Sequence, residues 1–461
     1  MNIAIEISYL ISSIFFIYGI KKLSSPKTAR KGNLYSATGM LLAIVVTLLD
    51  QNVLTFEWII IGGVIGSLIG AVLALKIKMT GMPQMVGLLN GFGGGASLLV
   101  ALSEYYKITY AMPLNTGVAI LLSLLIGSVT FTGSLIAFGK LQGIVTGKVV
   151  HYPGQHLINV LLFIVVIGVG VYLLMNPANA TLVLIIAGVS LVLGVLLVLP
   201  IGGADMPVAI SLLNSYSGLA AATTGFILEN NVLIIAGALV GASGIILTLI
   251  MCRGMNRSLM NVVLGGWANA GATDGAGSEG EGPKGDVKSV DAEELAMILE
   301  VASNVIIVPG YGMAVAQAQH TVRELMLALE DKDINVRFAI HPVAGRMPGH
   351  MNVLLAEANV PYDKLFALED INNDFANTDV AIVIGANDVV NPAARNNPRS
   401  PIYGMPILNV DYAKTVVINK RSLNPGYAGI DNELFYGDNS LMFFGDAKDA
   451  IGKLTSEIKN L

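Results

Sequence analysis

Apolar residues fill long unbroken stretches of the chain up to about residue 253; beyond it they fall into short runs divided by charge. Nine long stretches, at about 3–20, 34–50, 56–76, 83–103, 114–138, 155–175, 180–199, 207–228 and 231–252, have close to the 17–25 residues that a helix needs to cross about 30 Å of hydrocarbon. Their connections are short. Alternate ones carry Lys21, Lys22, Lys27, Arg30 and Lys31, then Lys76 and Lys78, then Lys140 and Lys148, then Arg253 and Arg257. The opposite set holds Asp50, Glu104, Lys107 and Glu229. The positive-inside rule therefore predicts an N-terminus outside and, after an odd number of spans, a cytosolic C-terminal domain. Met1 to Tyr18 carries Glu6 and no basic residue, the reverse of a signal peptide's charge order, so it reads as the first membrane helix.

From Gly265 to Lys288 the chain is rich in glycine and charge and has little to bury, which predicts a flexible tether. A helix is expected from Asp291, then a strand at Val305–Val308, a helix over Gly312–Leu329, a strand at Asn335–Ile340 and a short helix at Met351–Ala358. Strands are expected again at Val380–Ile384, Ile407–Val410, Thr415–Ile418 and Leu441–Phe444, and a helix over Ala447–Ile458. Strands alternating with helices predict a parallel sheet. The expected fold class is a multi-pass α-helical membrane bundle of about nine spans, then an α/β Rossmann-like, doubly wound parallel sheet. Its segments are a membrane domain over 1–260, a linker over 261–290 and a cytosolic domain over 291–461.

Charged residues make up 13% of the chain, about half the usual share, because the first half is nearly free of them. A net charge of −5 offers no basic surface for nucleic acid. The single cysteine, Cys252, excludes an internal disulfide and a cysteine-built metal site, and the five histidines have no metal-ligand spacing. Polar residues at membrane depth must find a partner or line a wet cavity. Asn90, Asp205 and Asn214 are the candidates, with Asp205 also placed to cap the eighth helix. Gly62, Gly66 and Gly70, the cluster from Gly91 to Gly95, and Gly237, Gly241 and Gly244 have the small-residue spacing that lets helices approach closely.

In the second half, chemistry gathers at the predicted C-terminal ends of strands, where ligands bind in such sheets. Pro309-Gly310-Tyr311-Gly312 offers Gly-x-Gly at the first turn, where backbone N–H groups meet phosphate, but Val315 stands where a third glycine would be. The second strand ends at Ile340-His341-Pro342 without the acid that holds a ribose 2′-OH, which leaves room for NADP. Val343-Ala344-Gly345-Arg346-Met347-Pro348 puts an arginine in a small-residue turn suited to pyrophosphate. Gly385-Ala386-Asn387-Asp388 leaves the next strand with two polar side chains. Lys420-Arg421-Ser422 supplies two cations and a hydroxyl, which suit a phosphate monoester. Leu423-Asn424-Pro425-Gly426-Tyr427 continues into a loop long enough to close over a ligand.

These motifs, PGYGMAVAQAQ (309–319), HPVAGRMPGHMNVLLAEANVPYD (341–363), GANDVVNPAA (385–394) and KRSLNPGYAG (420–429), resemble the NADP(H)-binding domain of the proton-translocating NAD(P) transhydrogenases. VTFTGSLIAFGK (129–140), GGADMPV (202–208), LLNSYSG (212–218) and MNRS (255–258) resemble the membrane part of the same family's β subunit. The resemblance covers essentially the whole chain. It implies direct hydride transfer between NADH and NADP⁺, coupled to proton movement across a bacterial inner membrane. It also implies NADP(H) on this chain, NAD(H) on a partner α subunit, and a dimer of αβ units.

Carried over by position, Tyr311 and the turn from Val343 to Pro348 contact the dinucleotide. Asp388 and Asn387, as the candidate catalytic pair, lie nearest its nicotinamide half, with Gly385 and Ala386 beside them. Lys420, Arg421 and Ser422 take the 2′-phosphate, the stretch Leu423 to Tyr427 forms a lid, and Gly404, Met405, Asp446 and Ala447 complete the pocket. Asn90 stands where many β subunits carry a membrane histidine, and Asp205 and Asn214 match polar positions near the proton path. The competing reading is a transporter or channel with a cytosolic nucleotide-sensing domain, which would bind nucleotide as an effector and catalyse nothing.

Overall fold

A computed structural model describes residues 3–49, 56–77, 81–107, 112–147, 149–203, 205–256, 258–263, 287–400, 402–426 and 428–461. Asp50, Lys78, Lys148, Arg257, Tyr427 and most of the expected tether lie outside the described residues. The chain divides into two compact units, Met1–Thr248 with Val262–Gly266, and Leu249–Asn261 with Trp267–Leu461.

The first unit is helical: α1 (Ile3–Leu23), α2 (Pro26–Leu49), α3 (Glu57–Lys76), α4 (Met82–Lys107), α5 (Leu114–Gln142), α6 (Gln155–Met175), α7 (Ala180–Val198), α8 (Met206–Ile227) and most of α9 (Asn231–Gly254). Eight of these nine are long and apolar enough to cross a membrane. The exception is α8, whose apolar character is diluted by Ser211, Asn214, Ser215, Tyr216, Ser217, Thr223 and Thr224. It packs against α4 and α5 and is buried along most of its length, with Ser211, Ser215 and Thr224 buried and Asn214, Tyr216, Ser217 and Thr223 half-buried.

Glycines set the close approaches. A Cβ on Gly94 would come within 2.8 Å of Gly127 O, and one on Gly237 within 2.7 Å of Gly218 O, so α4–α5 and α8–α9 pack backbone to backbone. Gly62, Gly66 and Gly70 behave differently. Nothing lies within 4 Å of a Cβ added to any of them, and no residue of α3 is buried.

The second unit also holds α10 (Leu259–Val263), which straddles the division, and α11 (Ala292–Glu300). Its sheet is built from β1 (Asn304–Pro309), β2 (Asn335–Ile340), β3 (Leu365–Ala367), β4 (Val380–Ile384), β5 (Thr415–Lys420) and β6 (Ser440–Phe444). All neighbours pair in parallel, in the order β3-β2-β1-β4-β5-β6, so the order reverses between β1 and β4. The helices are α12 (Tyr311–Val315), α13 (Gln319–Glu330), α14 (His350–Glu357), α15 (Leu368–Ile371), α16 (Ala393–Asn396) and α17 (Ala447–Asn460). One sheet face, from Ile306, Val308, Ala381, Val383, Val416 and Ile418, buries against Phe375, Leu408, Val410 and Phe435. These residues alternate along each strand, as a two-residue side-chain period requires. α11 starts at a capping box between Asp291 and Glu294.

Three elements depart from the sequence-based expectation. The single helix expected over Gly312–Leu329 is broken into α12 and α13, because Gln317 takes a left-handed conformation (φ 52°) that an α-helix excludes. Ile407–Val410 is not a strand: Leu408 N–H donates to Val389 O, and the segment is apolar because it lies buried beneath the sheet. Leu365–Ala367 supplies an unforeseen short edge strand. At the other edge, Met442 N–H donates to Lys288 O and Val290 N–H to Met442 O, so ordered pairing starts slightly before Asp291.

Candidate functional site

The carboxyl ends of the strands bring together most of the residues singled out from sequence. Around the switch point the first turn packs directly on the turn after β4. Gly310 N–H donates to Ile384 O at 2.8 Å and Gly312 N–H to Gly385 O at 2.9 Å. A Cβ on Gly312 would lie 2.6 Å from Gly385 Cα, and Gly385 itself has φ 65°. Both Gly-x-Gly N–H groups are thus committed to the β4 turn, whereas the sequence reading offered them to phosphate. Glycine is needed here for backbone approach.

Tyr311 opens α12, and its ring lies under the Arg346 guanidinium, 4.5 Å from centroid to Cζ. Arg346 belongs to the turn after β2, in which Val343 N–H donates to His341 Nδ1 at 3.2 Å and Arg346 N–H to His350 Nδ1 at 3.1 Å. Gly345 sits at φ 108°, and a Cβ there would meet the His350 ring at 2.6 Å. Ala344 is buried, while Met347 and Pro348 are half-buried. Burial pushes both imidazoles down to about 4; for His350 the Arg346 charge adds to it, and for His341 the hydrogen bond to Pro406 O partly opposes it.

After β4, Asn387 and Asp388 face the loop that follows β5. Asp388 Oδ2 accepts Ala428 N–H at 3.0 Å. Asn432 Nδ2 donates to Asn387 O and to its Oδ1, both at 3.1 Å. A Cβ on Gly426 would lie 2.5 Å from Asp388 Oδ1 and 2.6 Å from Asn387 Nδ2, so the loop lies flat on this pair. Ala386, beside them, is buried. Lys420 ends β5; its Nζ donates to Asn424 O at 2.6 Å and stands 4.6 Å from the centre of the Phe435 ring. Burial lowers its pKa, and Asp388 and Asp431 oppose that shift. Arg421, Ser422, Leu423, Asn424 and Pro425 are exposed and Gly426 is half-buried. One cation and a hydroxyl, Arg421 and Ser422, therefore stand open to solvent, with the half-buried Lys420 beside them.

The remaining pocket candidates have structural work of their own. Gly404 (φ 80°) donates its N–H to Ala394 O, Met405 is in the core, Asp446 Oδ1 caps α17 by accepting Lys448 N–H at 3.1 Å, and Ala447 is buried.

In the helical unit, Asn90 Nδ2 donates to Ser134 Oγ at 2.9 Å, both buried. A Cβ on Gly93 would come within 2.8 Å of Ser217 Oγ. α4 and α8 run parallel, so Asn90 and Asn214, each three residues before that meeting point, share one level of the bundle. Asp205 is set apart, at the start of α8, nine residues or about 14 Å along the axis from Asn214. It makes no side-chain cap hydrogen bond there, contrary to the capping expectation. A further polar level follows at Ser123, whose Oγ meets Thr224 Oγ1 at 2.9 Å and Ser97 O at 3.2 Å.

Sequence reasoning missed Ser134, Ser97, Ser123 and Thr224, although their helical spacing on α4, α5 and α8 was available. It also placed Lys140 in a loop. The residue lies in the last turn of α5, buried, with Nζ donating to Leu199 O at 2.6 Å and Ile201 O at 2.8 Å, where a cation meets the negative end of α7.

A family model described as the NAD(P) transhydrogenase beta subunit matches residues 5–457. The NAD(P) transhydrogenase subunit beta of Rhodospirillum rubrum is 52% identical over 460 residues, covering 98% of this chain and 97% of that protein. The subunit from a named strain of the same species gives the same figures. With the match running through both the helical bundle and the nucleotide-type sheet, the chain belongs to the NAD(P) transhydrogenase beta subunit family.

Proposed function

We propose that this β subunit holds NADP(H) at the carboxyl edge of its sheet, while the α subunit with which a β subunit works holds NAD(H). The observation that carries this reading is the placement of Lys420, Arg421 and Ser422 beside the loop held by Asp388. A dinucleotide bearing a 2′-phosphate matches that set, and one ending in a 2′-OH leaves two cations unused. Arg346, held over Tyr311, is placed to meet the pyrophosphate.

The bound cofactors supply the hydride chemistry. The chain's residues do the rest. Asn387 and Asp388 set the floor on which the nicotinamide half rests. The loop from Leu423 through Tyr427 closes over it, keeping water from the reacting centre, and Gly385, Ala386, Gly404, Met405, Asp446 and Ala447 form the walls.

Coupling to proton movement is assigned to the bundle over residues 1–260, with Asn90 and Asn214 ordering water at one level and Asp205 near the entry to α8. A proton in the bundle biases the loop between closed and open states, a population shift carried across the linker at 261–290 to the domain at 291–461. The basic residues of alternate connections support an N-terminus outside and a cytosolic sheet domain in a bacterial inner membrane. Two αβ units form the complete enzyme.

The test uses membranes containing both subunits. Lys420→Ala and Arg421→Ala are expected to raise KM for NADP(H) strongly and leave KM for NADH in place. Equal losses for both nucleotides would overturn the phosphate assignment.

A further inference from the structure

Two backbone N–H groups of the turn from Val343 to Pro348 end on imidazole nitrogens. His341 and His350 are 2% and 1% exposed, so neither reaches solvent. Each uses Nδ1 as the acceptor, from Val343 N–H and Arg346 N–H respectively. A ring nitrogen that accepts carries no proton, so both rings are neutral Nε2–H tautomers. His341 is consistent with this on its other side, where Nε2 lies 2.8 Å from Pro406 O, a group that only accepts. His350 packs against Gly345, leaving no room for a Cβ, and its ring is 6.2 Å from that of Tyr311. The imidazole is thus bracketed by three residues of the candidate pocket: Gly345, Arg346 and Tyr311.

We propose that His341 and His350 are positioning residues for nucleotide binding, each lending an unprotonated Nδ1 to fix the turn that aims Arg346 at the pyrophosphate. The inference rests on the reading that this turn receives the dinucleotide. Neither ring touches substrate. Both act through the backbone, giving two part-buried N–H groups an acceptor within the turn.

The experiment has three arms, all on the full chain with its α subunit. His350→Leu removes the acceptor at similar volume, and His350→Asn returns an acceptor oxygen near the Nδ1 position. KM for NADP(H) is expected to rise about tenfold in the leucine variant, the factor that about 1.4 kcal/mol gives. KM for NADH stays in place, and the asparagine variant recovers most of the loss. A merely structural role predicts no such rescue, so equal behaviour of the two variants, or an unmoved KM in both, overturns the proposal. The second arm needs no variant: nitrogen-15 magnetic resonance of labelled histidine at pH 7 should show Nε2–H tautomers at both positions, and an Nδ1–H ring at either overturns it. Arg346→Ala separates the inference from its premise. If that variant leaves KM for NADP(H) unchanged, the pyrophosphate reading falls and this inference with it. If it raises that KM while His350→Leu does not, the inference alone falls.

Discussion

The carboxylate of Asp388, at the end of β4, accepts the backbone N–H of Ala428 at 3.0 Å and thereby ties the loop after β5 to the switch point of the sheet. A charged acceptor holding a backbone donor contributes roughly 1.5–3 kcal/mol. Asp388→Ala should therefore free the loop and speed NADPH release by about tenfold or more. Stopped-flow fluorescence of NADPH dissociation reads this directly, and an unchanged rate would remove Asp388 from the latch.

Gly426 offers an independent approach to the same contact. A methyl group there would fall 2.5 Å from Asp388 Oδ1, so Gly426→Ala must push the carboxylate or the loop aside. The variant is expected to release NADPH faster without loss of thermal stability, because the loop is at the surface. Normal release with a lowered melting temperature would show that the loop's position matters to folding and not to the nucleotide.

Ser134 is the partner of Asn90 in the bundle, at 2.9 Å. Ser134→Ala leaves a buried amide donor unmatched, at about 1–3 kcal/mol. Proton uptake driven by hydride transfer in vesicles should fall, whereas NADP(H) binding at the proposed sheet-edge site should be untouched. Full uptake in that variant would exclude this level from the path.

Asp379, just before β4, accepts Lys414 Nζ at 2.8 Å and the N–H groups of Ser303 and Asn304, both at 2.9 Å. The Lys414 ammonium and these two N–H groups lower its carboxyl from 3.8 to about 2. Its folded value lies below the unfolded one, so its stabilisation is complete above about 3.8 and is lost as pH falls toward 2. Asp379→Asn should destabilise the protein by roughly 1–3 kcal/mol at pH 7 and flatten the acid limb of its denaturation curve.

The two buried histidines give the opposite chemistry and the same direction. Their folded values near 4 lie below the ordinary 6.5, so the unfolded chain binds more protons between these limits. Stability should rise with pH from about 4 to 6.5 and show no further contribution from them above it. Replacing both by asparagine should remove that slope in calorimetry.

Much of the fold was legible in the chain. A run such as 155–175 leaves a bilayer as the only place to bury itself, and the strand–helix alternation from Val305 onward leaves little besides a parallel sheet. The apolar segment Ile407–Val410 misled because burial against Phe375 and burial between strands select the same side chains. The long pattern from Gly312 to Leu329 gave no sign of the left-handed Gln317, since a backbone angle at one residue leaves hydropathy unchanged.

Chain order and periodicity are local properties, and they set which side chains the two halves contain and at which strand ends the cations and carboxylate emerge. What those groups face was set by packing. It committed the N–H groups of Gly310 and Gly312 to Ile384 and Gly385, buried Lys140 against the end of α7, and paired Asn90 with Ser134 across 44 positions of sequence. Hydrogen bonds and close packing join residues by distance in space, and no spacing along a chain fixes that distance until the helices and the sheet have packed.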